Sequence, residues 1–216
     1  MSTVYYKATR PDGTSVQSGI DGKRVDYGAA LVSGEVVRHP EPKKVRDDPH
    51  TYLSISVAAA DCTGAQWPCR LFRVEPVGRV MANLSASPNK RAVSALRVVE
   101  ELPAHLSLGP NGEQVAAFIE GCQKLTATDW KRVASARYAP WNAPWNAPWN
   151  APWDAARGAA WDAAWDAARG AAGNAARGAA GDAAWAIITR DLITTEQYDI
   201  LTQPFVDAGF ATLVGR

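Results

Sequence analysis

Neither sign of charge is in excess: 23 basic and 22 acidic side chains leave a net charge of +1. A protein that grips nucleic acid through its phosphates needs a basic surface, and this chain has no surplus to build one. Its basic run, Lys43-Lys44-Val45-Arg46, is followed at once by Asp47 and Asp48 and reads as a solvated loop. Cysteine is sparse and odd in number. Cys62, Cys69 and Cys122 suit a reducing compartment better than a disulfide framework. No Cys or His pair beside Cys62 and Cys69 completes a zinc site, and His39, His50 and His105 are scattered. No metal and no cofactor is expected. Long apolar runs are missing too. Nothing approaches the roughly 20 residues that span a bilayer, and the opening Met-Ser-Thr-Val-Tyr-Tyr-Lys is no signal peptide. A secreted or membrane-spanning protein is therefore not expected.

Within those limits the 216 residues have an ordinary globular balance, 47% hydrophobic and 21% charged, enough for one core or a core with an appendage. The first hundred residues punctuate like β-structure. Val4 to Ala8 is a short strand stopped by Arg10-Pro11-Asp12-Gly13, in which Pro presets φ and Gly accepts a positive φ. Thr51 to Val57 alternates polar and apolar and predicts a second strand. Cys69 to Val74 predicts a third, with Leu71 and Val74 inward. Ala92 to Val99 is read as a fourth on its valines. From Asn111 the pattern turns helical. Asn111 is placed to cap a helix with Val115, Phe118, Ile119 and Cys122 on one face. Thr126 or Thr128 caps a second helix through Trp130 and Val133.

Residues 139–186 are a tetrapeptide repeat of twelve units, holding seven of the nine tryptophans. Three Ala-Pro-Trp-Asn units and one Ala-Pro-Trp-Asp unit come first. Pro140, Pro144, Pro148 and Pro152 recur every fourth residue and exclude a continuous helix there, so tight turns or an extended rod are expected. Eight Ala-Ala-x-x units follow. Alanine is the best helix former and Asp154 is a suitable cap; Gly158, Gly170, Gly173, Gly178 and Gly181 weigh against an isolated helix by about 1 kcal/mol each. A mainly helical segment needing packing partners is predicted from Asp154 to Trp185. Each unit turns a helix through about 400°, so a repeat position drifts about 40° per unit and holds one face for about three. The alanine stripe winds, and its helix must be wrapped on several sides or broken into pieces. The globular part looks too small to cover it, which favours a second copy. Ile187, Ile188 and Leu192 then continue as an apolar helix, and Thr194 or Thr195 caps a last one carrying Tyr198, Ile200, Leu201 and Phe205.

The fold class expected is α+β: a β-rich domain with helices over 1–137, a Pro/Trp connector over 138–153, and an Ala-rich helical segment over 154–216. Stretches Tyr6 to Gly13, Tyr52 to Ser56, Leu71 to Gly78 and Val98 to Leu102, with the repeats and the closing Asp191-Leu192-Ile193, resemble a family of bacteriophage proteins, especially from phages of actinobacteria. The resemblance implies a phage context, in the host cytoplasm or the virion, and no particular activity.

Two function classes compete. Repeated indoles supply rigid contact area, so Trp141, Trp145, Trp149 and Trp153 are candidate binding residues in a non-catalytic accessory or structural protein that self-associates or binds another protein. The alternative is an enzyme using NAD. Arg10, the Ser54-Ile55-Ser56 strand and Glu75 stand in the order that ADP-ribosyltransferases use, with Ile55 where that family has Thr and no Gln-x-Glu or Glu-x-Glu pair. Adjacent Glu100 and Glu101 point to opposite faces of a strand and read as a surface strand end.

Overall fold

A computed structural model describes residues 4–17, 22–39, 51–62, 66–81, 89–136, 154–168 and 173–216. The chain forms two compact units, Met1–Ser107 and Leu108–Arg216. The α+β class read from the sequence is the one observed. The composition boundary drawn at 137 differs from the compact one, because the two helices after 108 pack with the helices that follow them.

The first unit is a curled six-stranded antiparallel sheet. Its strands are β1 (Tyr5–Thr9), β2 (Val36–Arg38), β3 (Leu53–Ser56), β4 (Arg70–Pro76), β5 (Lys90–Val93) and β6 (Ala95–Leu102), in spatial order β2-β6-β4-β1-β3-β5. The turn after β1 forms as its residues dictate. Gly13 donates to the Arg10 carbonyl at 2.9 Å with φ at 84°, a value that suits glycine. Asp12 accepts from the Thr14 backbone (2.9 Å) and hydroxyl (2.7 Å). Helix α1 (Tyr27–Ser33) is capped by Asp26, which accepts from the Ala29 N–H at 2.8 Å, and ends on Gly34 at φ 71°. Tyr27 and Ala30 from α1 close one face of the sheet with Ile55, Phe72, Val74, Val93 and Leu96. Leu71 packs on the other face with Ala8 and Cys69. Both Leu71 and Val74 are buried as expected, on different faces, with a bulge at Arg73/Val74 opposite β6.

One reading of this unit is corrected, and two elements are added to it. Helix α1 and β2 were not foreseen; at seven and three residues they are too short to show a period. The single strand Ala92 to Val99 is two, β5 and β6, parted at Ser94, whose carbonyl accepts from the His39 N–H at 2.9 Å.

The second unit is helical: α2 (Gly112–Lys124), α3 (Ala127–Ala136), α4 (Asp154–Ala167), α5 (Gly173–Ile188) and α6 (Thr195–Asp207). Val115, Phe118, Ile119 and Cys122 are buried along α2. Phe205 of α6 meets Phe118 edge-on at 5.1 Å and Trp130 of α3 at 6.1 Å. Caps at Thr126 and Thr194 are made: Thr126 accepts from the Asp129 N–H at 3.2 Å, and Thr194 forms a capping box with Gln197. Asn111 precedes α2 without capping it. Its amide instead donates to the Ile188 carbonyl (3.4 Å) and to Asp191 (3.2 Å). Leu192 lies past the end of α5 and is 40% exposed.

The Ala-Ala-x-x units fold into α4 and α5. Along α4 and the residue just past it the second alanine is buried (Ala160, Ala164, Ala168), while the fourth position is exposed at Gly158, Asp162 and Asp166. Three units share a face, as a 40° drift allows. On α5 the drift is visible: the first alanine is exposed at Ala175 and buried at Ala179 and Ala183. Helices α2, α3, α4 and α6 all pack on α5. The stripe is thus both broken and wrapped, and helices of the same chain, including α2 and α3 from the part that looked too small, cover α5. The Pro/Trp connector and the side chains of Asp154, Arg157 and Arg169 lie outside the described residues.

Candidate functional site

Strand β1 pairs with β4 over five residues but with β3 at one position, Tyr6 with Ser56. Where the β1–β3 ladder stops, Lys7 takes its place. The Lys7 Nζ donates to the Ser54 carbonyl at 3.0 Å and lies 5.4 Å from the centroid of the Tyr27 ring. Among the described residues no carboxylate pairs with it. Burial pushes the amine down to about 8, and repulsion from Lys90 adds to this, while Cys62 acts weakly the other way. Lys90, opposite Ser56 on β5, is itself held below the usual lysine range by burial.

The nearby acid and thiol groups are not poised for catalysis. Burial pushes Cys62 up to about 11, against donors at Ser56 and Ala8. Cys69 and Cys122 are raised by burial too, so none of the three thiols is an activated nucleophile. Asp61 is raised by burial. Glu100 and Glu101 each meet an arginine of β4: Arg73 at 2.6 and 2.8 Å, and Arg70 in a two-pronged contact at 2.8 and 2.7 Å. The Arg70 contact holds Glu101 below the ordinary carboxylate range. Both carboxylates are committed to ion pairs, as a surface strand end implies. Among the described residues no group of three or more His, Cys, Asp and Glu side chains is placed to hold a metal ion.

The residues of the NAD-dependent alternative are not brought together. Arg10 follows the end of β1 at Thr9, whose partner on β4 is Arg70; Glu75 stands five residues along β4, at the opposite end of the strand. At about 3.3 Å per residue that is roughly 17 Å. Arg10 contacts Asp12 (3.7 Å) and Glu75 contacts Arg73 (3.9 Å). Ser54, on β3, offers its carbonyl to Lys7.

No family model matches the chain, and no curated protein or solved structure matches it.

In the helical unit the repeat tryptophans on helices are half-buried. Trp161 and Trp165 stack with centroids 6.2 Å apart and planes at 24°, and the Arg177 guanidinium lies 5.8 Å over Trp165. Trp161 rests directly on Gly181 of α5, where an added Cβ would come within 2.7 Å of the indole. The Trp185 Nε1 is buried with no hydrogen-bond partner among the described residues. Trp141, Trp145, Trp149 and Trp153 lie outside the described residues. Lys7, Lys90 and Cys62 were missed in the sequence as site residues. The available signal was a lysine inside an otherwise strand-forming run, Tyr5-Tyr6-Lys7-Ala8-Thr9. No helix among the described residues is long and apolar enough to cross a membrane.

Proposed function

We propose that this is a non-catalytic accessory or structural protein of a bacteriophage, working in the host cytoplasm or the virion by binding a second copy of itself through the Ala-Pro-Trp-Asn units. One observation carries the reading: the Ala-Ala-x-x units spend their faces inside the chain's own helical unit, with α5 wrapped by four other helices. The contact with a partner is then assigned to the other half of the repeat. Four indoles at four-residue spacing, each behind a proline, supply large rigid contact area with little conformational entropy to lose. The separation of Arg10 from Glu75 and the ion-pairing of Glu100 and Glu101 support the non-catalytic side.

Light scattering across a tenfold range of concentration tests this. The wild type is expected to rise above its monomer mass of 23.1 kDa. A variant with Trp141, Trp145, Trp149 and Trp153 all replaced by Ala is expected to remain at that mass. A constant monomer mass for the wild type overturns self-association.

A further inference from the structure

We infer that α4 has two registers on α5, one repeat unit apart, so that the helix steps forward by four residues without leaving its place. Two contacts fix the observed register. Trp161 rests on Gly181, and Trp165, four residues on, lies under Arg177, four residues back. The two helices therefore run antiparallel, with the third positions of their units facing one another.

The repeat itself permits the step. A screw movement of four residues, a rise of about 6 Å and a turn of about 400°, lays a helix back on its own backbone. Each residue then stands where the one four places later stood. From Ala155 on, every unit begins with two alanines, so Ala156, Ala160 and Ala164 take the buried places of Ala160, Ala164 and Ala168. The packed face keeps its shape. At the third positions Trp161 comes under Arg177 and Trp165 comes to Gly173. One indole again meets a guanidinium, and the other again meets a glycine.

The other steps are closed. A step backward brings Trp161 against Trp185. It also leaves one residue of the five between Ala167 and Gly173 to make the turn, fewer than antiparallel helices need. One step forward lengthens that turn to nine residues, and closure entropy grows only with the logarithm of length. It carries Pro152 to the place of Ala156, in the first turn, where proline is tolerated. A second step would carry Pro152 to the place of Ala160, where its ring clashes with the turn before it. Helix α5 is the fixed rail, held by α2, α3 and α6 as well as α4. The step draws the chain before Asp154 in by one unit, and it stands whether or not the protein self-associates.

Distances between spin labels on the full chain test this, with the half-buried Cys62 changed to Ala so that the buried Cys69 and Cys122 are the only native thiols left. Glu196→Cys, exposed on α6, is the fixed point, paired in one chain with Asp162→Cys and in another with Asp166→Cys. In the second register the label at Asp162 stands where the label at Asp166 stood. The Asp162 label is therefore expected to show two distances, the minor one equal to the main distance of the Asp166 label. Gly181→Ala, which crowds Trp161, is expected to raise the minor-to-main ratio about fivefold or more. Gly173→Ala, which fills the seat that Trp165 needs after the step, is expected to remove the minor distance. A single distance for the Asp162 label with Gly173 and Gly181 both in place overturns the proposal, and that chain leaves the contact of α4 with α5 intact. A second distance that does not match the Asp166 label, or one that survives Gly173→Ala, overturns it likewise.

Discussion

Lys7 and Arg70 sit on neighbouring strands and meet opposite fates. Arg70 fits against Gly13 and Gly28, where an added Cβ would come within 2.7 and 2.6 Å of its guanidinium. It also pairs with Glu101 at 2.7 Å and lies 5.0 Å over the Phe72 ring. Lys7 meets the Ser54 carbonyl and the Tyr27 ring but no carboxylate among the described residues, so its buried charge weakens the fold instead of supporting it. In the unfolded chain the amine keeps its proton to about 10.4; in the folded chain it releases it near 8. The destabilisation is therefore complete below about 8 and fades as pH rises towards the unfolded value, because the unfolded state binds more protons in that window. Lys7→Met keeps the apolar stem and removes the titration. Relative to the wild type it is expected to be most favourable at neutral pH, with the advantage shrinking as pH rises. Urea midpoints for both proteins at neutral and at alkaline pH measure this directly. A difference that stays constant with pH would mean that the amine is solvated in the fold.

Elements carry the second comparison, between two glycines of one repeat. Gly158 lies on an exposed face of α4 with nothing within 4 Å of an added Cβ. Gly158→Ala is expected to stabilise by up to about 1 kcal/mol, the helix propensity gain alone. Gly181 occupies the equivalent helical setting on α5 but seats Trp161, with three ring atoms within 2.8 Å of an added Cβ. Overpacking of that kind costs about 1–3 kcal/mol, so Gly181→Ala is expected to lower the melting temperature where Gly158→Ala raises it. From the sequence, both glycines counted equally against a helix; only the crossing of α4 and α5 separates them. The same limit runs through the fold. Strands β1, β3 and β4 were legible because alternation and the turn at Pro11-Asp12-Gly13 are local, and the buried face of α2 was legible because its period is local. The strand order was not, since β1 lies between β3 and β4 through pairings of residues some 50 to 70 positions apart. Arg10, Ser54 and Glu75 stand in a suggestive order along the chain, yet chain order does not say which end of a strand a residue occupies. Lys7 shows the converse: its strand was visible, but the ring and the second lysine that shape its chemistry arrive from α1 and β5.

Taken as a whole, the molecule divides its core in two. The sheet unit closes on Tyr27, Phe72 and Leu96, and the helical unit on Phe118, Trp130 and Phe205. A fragment of residues 108–216 is therefore expected to hold its helices and unfold cooperatively by circular dichroism, because its apolar faces meet one another. A gradual, featureless melt would count against an independent core. The wrapping of α5 also reaches back to the gene. Tandem repeats gain and lose units when copying slips by one register. One unit added to or lost from α5 would shift every later residue by about 6 Å and turn it by about 40°, and about nine units would have to change before the faces realigned. Trp185, Ile187, Ile188 and the carbonyl that Asn111 reaches would all be carried out of place. The packing of that helix thus sets a length gauge: a change of one unit in the DNA that encodes it is expected to lower the melting temperature of the helical unit.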